Sequence, residues 1–160
     1  MISKTSKLLA MAAFVLGGLL IQAQSKYKCM IQMAAYTGDK AYVVVSLINP
    51  KNQYEKTLAV MGQDKKWYNS LKEWHKVQNK KPEALSAITG ASVSGGDRSM
   101  VSFILEDAKL DKGYKIRFES AVEDQKYHSS DIEIPYSKEA LLQKSEGKNY
   151  IKFVKFSKSF

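Results

Sequence analysis

Hydroxyl side chains concentrate in one glycine-containing segment of the chain, residues 86–94. The segment reads Ser86-Ala87-Ile88-Thr89-Gly90-Ala91-Ser92-Val93-Ser94. A serine or threonine hydroxyl can act as a nucleophile or satisfy backbone groups in a turn. Gly90 and Ala91 add little bulk, so another protein can approach the backbone beside Ser92 closely. The segment is therefore a candidate site for modification or binding, and a purely structural turn is the alternative.

Hydrolytic chemistry has little support among the remaining residues. A serine hydrolase needs a nucleophile, a base and an orienting carboxylate. The chain has two histidines, His75 and His128, and no nucleophile elbow surrounds any serine. His75 lies beside the apolar positions of a predicted helix, and His128 opens a polar strand where we expect it to be exposed. The sequence thus favours a non-catalytic protein.

A metal site has equally weak support. Glu119, Glu123, Asp124 and His128 lie close together in the sequence, but their spacing matches no common ligand pattern. The single cysteine, Cys29, excludes a disulfide framework within the chain and an all-cysteine zinc site. We expect no metal, and we expect Cys29 to be a small buried apolar residue.

The N-terminus has the layout of a secretory signal peptide over residues 1–23. Lys4 and Lys7 precede an apolar run from Leu8 to Ile21, and Ala23 offers a small residue for cleavage. A membrane anchor is the alternative, but it needs about 20 apolar residues. The sequence predicts a periplasmic or secreted protein with one domain over residues 24–160 and no membrane span after cleavage.

Charge gives little evidence for a nucleic-acid partner. The whole chain carries a net charge of +9, which falls to +7 without Lys4 and Lys7. Arg98 and Arg117 are the only arginines, whereas arginine is preferred for bidentate phosphate recognition. We expect a solvated, lysine-rich surface, with weak attraction to anionic lipid headgroups as the second interpretation.

Hydrophobic patterning of the mature chain predicts short strands. Residues 27–36 place Tyr27, Cys29, Ile31 and Met33 on one face, whereas residues 41–48 are apolar throughout and indicate a central strand. In residues 114–122 the alternation places Glu119 on the outward face. The other predicted strands are residues 54–60, 99–105, 128–135 and 150–156. About seven strands with one helix predict an antiparallel, Ig-like β-sandwich.

The period changes in the middle of the chain. Trp67, Leu71 and Trp74 recur at helical spacing after a potential cap at Asp64, which predicts an amphipathic helix over residues 65–77 packed on the sheet. Residues 78–96 show neither period and read as a long loop. Because long loops inside compact domains are usually functional or mobile, this one is the main candidate for a site.

Several pieces of the mature chain resemble a family of predicted periplasmic proteins, domain of unknown function family 2271. The resemblance spans residues 42–123, although Ser46 stands where the family commonly has an aromatic residue. Its pieces are Tyr42-Val43-Val44-Val45, Lys56-Thr57-Leu58-Ala59-Val60, Trp67…Leu71…Trp74, Thr89-Gly90-Ala91-Ser92 and Tyr114-Lys115-Ile116-Arg117-Phe118-Glu119 with Glu123. The family's last hairpin also looks like the Ig-like domain of flagellar hook-cap proteins.

A second, local resemblance concerns the hydroxyl-rich segment. Thr89-Gly90-Ala91-Ser92-Val93-Ser94 is similar to the Ser-Gly-Ala-Thr-x-Thr motif of FMN-binding domains. In those proteins a flavin transferase joins FMN to the fourth residue, which implies FMN on Ser92. The neighbourhood typical of the family implies a PepSY-type membrane partner and a role in extracytoplasmic electron transfer or iron uptake. We therefore expect an exported accessory or binding module, with a covalent FMN carrier as the alternative.

Overall fold

A computed structural model describes residues 23–159 of the chain. The predicted signal peptide lies almost entirely outside these residues. The described part is built around two β-sheets, which confirms the predicted all-β sandwich, and the Ig-like relationship stays a prediction. The strands are Gln24–Met33 (β1), Tyr42–Ile48 (β2), Tyr54–Met61 (β3), Thr89–Gly90 (β4), Arg98–Glu106 (β5), Lys115–Ala121 (β6), His128–Pro135 (β7), Lys144–Glu146 (β8) and Ile151–Ser159 (β9).

The two sheets differ in strand order. One contains four strands in the order β5-β1-β9-β8, and the other contains five in the order β4-β3-β2-β6-β7. All neighbours are antiparallel except β4, which runs parallel to β3. The apolar side chains of the two inner faces form one core between the sheets.

Strand β1 follows the predicted alternation. Tyr27, Cys29, Ile31 and Met33 are buried in the core, while Lys28 is exposed. Burial also raises the pKa of the Cys29 thiol, because the thiolate would lose its hydration. The prediction of a buried, unreactive cysteine is confirmed by this position.

Strand β2 is the central strand of the five-stranded sheet, as its apolar run predicts. It pairs with β3 on one side and β6 on the other, and residues 43–48 are at most 1% exposed. Val43, Val45 and Leu47 face the core between the sheets. Val44 instead joins a second apolar cluster on the outer face, where a helix covers the sheet.

The helix prediction over residues 65–77 is wrong in its bounds. A 3-10 helix spans Lys65–Ser70, and the α-helix α1 follows over Lys72–Lys80. A 3-10 helix has three residues per turn, so the predicted spacing does not hold through the first half. Tyr68 therefore points into the second cluster beside Leu71 and Trp74, whereas Trp67 stays partly exposed. The packing of Trp74 on the sheet is confirmed.

The segment 78–96 is not the structureless loop that its sequence suggests. It contains a 3-10 turn at Ser86–Ile88 and the two-residue strand β4 at the sheet edge. Together with β8, this makes nine strands where about seven were expected. A second short α-helix, α2, spans Lys138–Leu142. Within residues 23–159, no helix has both the length and the apolar character that crossing a membrane requires.

Candidate functional site

A cleft of about 300 Å³ opens at the end of the sandwich where β1 ends and β2 begins. We call it the Trp67 cleft. It lies among the β1–β2 loop, the 3-10 helix before α1, the segment after β4 and the β6–β7 loop. Its lining residues are Asp39, Lys40, Tyr42, Trp67, Ser70, Ser92 and Glu123.

Tyr42 forms part of the cleft wall because Gly62 leaves room for its ring. Gly62 has a φ of +141°, and a Cβ atom there would lie 2.1 Å from the Tyr42 ring. The Tyr68 hydroxyl donates to the Gly62 carbonyl at 3.0 Å, and the Tyr68 ring packs edge-on against Tyr42. A side chain at position 62 would therefore displace the cleft wall.

Trp67 reaches the cleft because the 3-10 helix turns it away from the apolar cluster. The carboxylate of Asp64 caps this helix by accepting from the Lys66 backbone N–H at 3.2 Å. The Lys66 ammonium lies 5.1 Å from the centre of the Trp67 ring. The indole thus presents apolar area to the cleft with a cation on one face.

Ser92 is held in the cleft by a long-range backbone bridge. Ala41 N–H donates to the Val93 carbonyl at 2.7 Å, and Val93 N–H donates back to Ala41 at 3.2 Å. The Tyr36 hydroxyl also donates to the Val93 carbonyl, at 2.9 Å. These bonds place Ser92 next to the β1–β2 loop and therefore beside Lys40.

The hydroxyls of the candidate segment have different surroundings. Thr89 donates its hydroxyl to the Leu85 carbonyl at 2.8 Å, which matches the structural interpretation of the segment. The Ser92 hydroxyl makes no hydrogen bond with any group in residues 23–159, and Ser92 lines the cleft. Thr89 and Gly90 belong to β4, while Ala91 is exposed after it. Of the four predicted site residues, only Ser92 contributes to the cleft.

The charged groups of the cleft are mixed. Lys40 supplies a cation, and Asp39 and Glu123 supply carboxylates. Beside two aromatic side chains and the hydroxyls of Ser70 and Ser92, they form an apolar surface with polar groups around it. Such a site is suited to a flat conjugated ligand that carries hydrogen-bonding or charged substituents.

The structure separates the four residues considered as metal ligands. Glu119 is buried beneath α1, Glu123 lines the Trp67 cleft, and Asp124 is exposed in the β6–β7 loop. His128 packs against the Tyr150 ring, with ring centres 5.0 Å apart. Over residues 23–159, no three His, Cys, Asp or Glu side chains come close enough to hold a metal ion.

Neither histidine lies in a hydrolytic arrangement. The His75 ring lies 3.4 Å from the Asn79 amide nitrogen, and burial lowers the pKa of half-buried His128. In the described part of the chain, neither imidazole makes a hydrogen bond to a serine or a carboxylate. Hydrolysis would require a general base next to a nucleophile, and neither His75 nor His128 has this position.

Glu119 is buried, although the sequence pattern places it on the outward face of its strand. The alternation does place it on the outer face of the sheet, but α1 covers that face and leaves Glu119 3% exposed. Its carboxylate accepts from the Trp74 backbone N–H at 3.3 Å and from the Tyr127 hydroxyl. The Tyr127 oxygen in turn accepts from the Glu73 N–H at 3.0 Å. Two side chains of the sheet region therefore cap the first turn of α1.

Burial dominates the electrostatics of Glu119. Loss of hydration raises the pKa of its carboxyl group to about 7, although the bonds from Tyr127 and Trp74 favour the ionised form. The loss of hydration and the same carboxylate raise the pKa of Tyr127. Glu119 thus titrates near neutral pH, but its burial beneath α1 keeps it out of the Trp67 cleft.

Sequence reasoning missed Tyr42, Lys40 and Trp67 as members of the site. Tyr42 and Trp67 were assigned to a strand and a helix by patterns that also describe core residues. The Ala41–Val93 bridge joins segments 52 residues apart, so no local signal could reveal it. The signal that could have indicated Trp67 is the presence of two tryptophans in one amphipathic segment. Trp74 is buried, whereas Trp67 is partly exposed.

The fold and the cleft define a two-sheet β-sandwich with a small open site at one end. The family described as "Predicted periplasmic protein (DUF2271)" matches residues 24–153, and the chain belongs to that family. No curated protein and no solved structure matches the chain.

Proposed function

We propose that this protein is an exported, non-catalytic binding module whose ligand site is the Trp67 cleft. The observation that carries the proposal is the partly exposed indole of Trp67 beside Tyr42 in a cleft of about 300 Å³. Solvent-exposed indole area that flanks a concave site is typical of ligand binding. Membership of a family of predicted periplasmic proteins supports an extracytoplasmic role.

The ligand class follows from the composition of the cleft. A planar conjugated ring system can stack on Trp67, and the Lys40 ammonium can pair with an anionic substituent. Asp39 and Glu123 can accept hydrogen bonds from ring N–H or hydroxyl groups. Flavins combine these features, so free FMN and riboflavin are suitable probes.

The test is a titration of the protein with FMN and riboflavin, followed by flavin fluorescence. Stacking on an aromatic side chain is worth about 1–3 kcal/mol, so Trp67→Ala should weaken binding by about fivefold or more. Tyr114→Ala is the control, because it removes a partly buried ring remote from the cleft. Equal flavin affinity in the wild-type protein and Trp67→Ala would refute the cleft as the ligand site.

A second candidate function is a covalent FMN carrier with the flavin on Ser92. Three observations favour it: the resemblance of residues 89–94 to an FMN-attachment motif, the unpartnered Ser92 hydroxyl in the described residues and the position of Ser92 at the Trp67 cleft. A flavin transferase would transfer the FMN moiety of FAD to Ser92: the bond from the Ser92 oxygen to the FMN phosphorus forms as the pyrophosphate bond of FAD breaks, AMP leaves, and the hydroxyl proton is released. Lys40 lies beside Ser92 and would neutralise the phosphate, while the flavin supplies the redox chemistry.

Intact mass of the protein after export from a host with a flavin transferase distinguishes the two functions. A carrier should gain the mass of one FMN moiety in the wild-type protein and in Ser94→Ala, but not in Ser92→Ala. Ser94 is a matched control because it is also half-buried in the same segment. An unmodified wild-type mass, with reversible flavin binding intact, would leave the non-covalent module and exclude the carrier.

The partner we propose is a membrane redox or iron-uptake protein, for which a PepSY-type protein is the candidate. The support is the resemblance to the family and its expected export, and copurification tests whether the partner binds at the Trp67 cleft. Copurification of the wild-type protein with membranes from its own host, and loss of the same partner in Trp67→Ala, would support the link.

A further inference from the structure

A second, mostly apolar cavity lies at the end of the sandwich opposite the Trp67 cleft. Its volume is about 340 Å³, and we call it the α2 cavity. Tyr27 lies near the beginning of β1, whereas the β1–β2 loop of the Trp67 cleft follows the end of that strand. The lining residues are Tyr27, Leu110, Lys138, Leu141, Leu142, Phe156, Ser157 and Lys158.

The inner part of the α2 cavity belongs to the hydrophobic core. Tyr27, Leu141 and Phe156 are 6–7% exposed and pack in the cluster between the two sheets. Leu110 packs against the same cluster from the segment before β6. The cavity therefore reaches core side chains directly and provides a continuous hydrocarbon surface.

The mouth of the cavity exposes an apolar side chain that the fold does not use. Leu142, the last residue of α2, is 84% exposed, while its neighbour Leu141 is buried. A leucine side chain this exposed loses favourable burial of about 25 cal/mol per Å². A ligand chain that entered the cavity past Leu142 would cover this surface.

The charged groups at the cavity are both cationic. Lys138 begins α2 and Lys158 lies near the end of β9, and both are exposed. Neither lysine forms an ion pair with any carboxylate in residues 23–159, and no carboxylate is among the lining side chains. An apolar interior with unpaired ammonium groups at its entrance is complementary to an anionic amphiphile.

We propose that the α2 cavity binds a single-chain anionic amphiphile, a hydrocarbon chain with one carboxylate at its end. The chain lies against Tyr27, Leu141 and Phe156, and the carboxylate lies between Lys138 and Lys158. This site is independent of the Trp67 cleft and of the flavin proposal. It gives an exported protein a means to carry or sense a fatty-acid-like molecule.

The first experiment titrates the exported protein with octanoate, decanoate and dodecanoate below their micelle concentrations, using calorimetry. We expect a stoichiometry of one and an affinity that rises about fourfold for each added methylene, as burial of a methylene group predicts. Nonyltrimethylammonium has the same nine-carbon chain as decanoate with the opposite charge and should bind at least tenfold more weakly. Equal affinity of the unaltered protein for these two compounds would overturn the proposal.

Two variants test the two parts of the cavity. Lys138→Glu with Lys158→Glu should lower decanoate affinity at least tenfold, because the entrance becomes anionic. Lys72→Glu with Lys80→Glu is the control, since both lysines are exposed on α1 and the change in net charge is the same. Leu110→Trp should fill the interior and abolish chain binding while leaving the Trp67 cleft unchanged.

The outcomes distinguish an amphiphile site from adsorption elsewhere on the protein and from membrane binding. Loss of decanoate binding in the Lys138 and Lys158 variant but not in the Lys72 and Lys80 variant supports the site. Unchanged decanoate binding in Leu110→Trp shows adsorption elsewhere and overturns it. Binding to vesicles of phosphatidylglycerol without binding to monomeric decanoate also overturns it, because the surface would then recognise a membrane.

Discussion

Replacing Glu119 with glutamine should change how the stability of the protein depends on pH. In the folded protein burial raises the pKa of the Glu119 carboxyl group from 4.5 to about 7. Between these two values the folded chain binds a proton that the unfolded chain has released. The free energy of unfolding therefore falls as the pH rises through this window, and the loss is complete above the folded-state pKa.

The size of the effect follows from the difference between the two pKa values. One unit of pKa corresponds to 1.36 kcal/mol, so a difference of roughly 2.5 gives about 3 kcal/mol between acid and alkaline conditions. Glu119 is only 3% exposed, so solvent screens this cost little. A glutamine carbonyl can still accept from the Trp74 N–H and the Tyr127 hydroxyl, but it carries no charge.

The assay is urea unfolding of the wild-type protein and Glu119→Gln at pH 4.5, 6, 7 and 8.5, followed by tryptophan fluorescence. The stability of the variant relative to wild type should rise by about 3 kcal/mol across this range, with most of the change between pH 5 and 7. Trp74 is a suitable reporter because it packs directly above Glu119. Both proteins need two-state unfolding for the comparison.

Glu133→Gln, measured with the pH series extended down to about pH 3, provides a control of the opposite sign, because its effect lies below pH 4.5. Lys115 and Arg117 lie 2.8 Å and 2.9 Å from the Glu133 carboxylate and, against the effect of burial, hold its pKa below the usual range. Its stabilising contribution is present above the unfolded-state pKa and is lost as the pH falls through the lower, folded-state pKa. A pH-independent difference between wild type and Glu119→Gln, or a difference with the slope of the Glu133 control, would refute the argument.

Two further substitutions test the buried polar groups. Asp131 is 0% exposed and accepts from the Ser120 hydroxyl at 2.6 Å and from the Asn149 and Ile151 N–H groups at 2.8 and 3.0 Å. Asp131→Ala should lower the free energy of unfolding by about 3 kcal/mol, with a smaller loss in Asp131→Asn, and equal losses in urea unfolding would contradict this account. The buried Ser46 hydroxyl has no hydrogen-bond partner in the described residues, so Ser46→Ala should raise the free energy of unfolding by about 1 kcal/mol. A lower urea midpoint in that variant would show that the Ser46 hydroxyl stabilises the folded state.

Local hydrophobic patterns correctly predicted the strands in which the burial of side chains follows a regular pattern along the chain. The alternation of Tyr27, Cys29 and Ile31 is confirmed because β1 has the core on one side and solvent on the other. The apolar run of β2 is confirmed because both of its faces are covered. In each case the period of the strand is visible in the sequence itself.

The remaining errors have tertiary causes. Glu119 has the outward direction that its strand predicts, but α1 covers it from a segment 45 residues earlier in the chain. Tyr68 packs in the second apolar cluster where Trp67 was expected, because a 3-10 helix does not keep the α-helical period. Strands β4 and β8 have two and three residues, which are too few to show a period.

The candidate site was also predictable only where a local sequence pattern indicated a residue. The hydroxyl-rich segment pointed to Ser92, and the structure places this residue at the Trp67 cleft. Its aromatic and charged neighbours come from three other segments, so only the folded chain brings them together. The motif therefore predicted one residue of the cleft, but it could not predict the residues that surround Ser92.

Because Cys29 is buried in the core, the reaction of its thiol with a labelling reagent can report local unfolding of the protein. Cys29 is the only cysteine, it is 0% exposed, and β1 pairs on both sides, with β5 and β9. The side chain of Cys29 lies in the core between the two sheets, so a thiol reagent can reach it only when that core opens. The rate of thiol labelling therefore reports how often the core around β1 opens, without any engineered probe. Ligands that close the α2 cavity against Tyr27, two residues away on the same strand, should slow that rate.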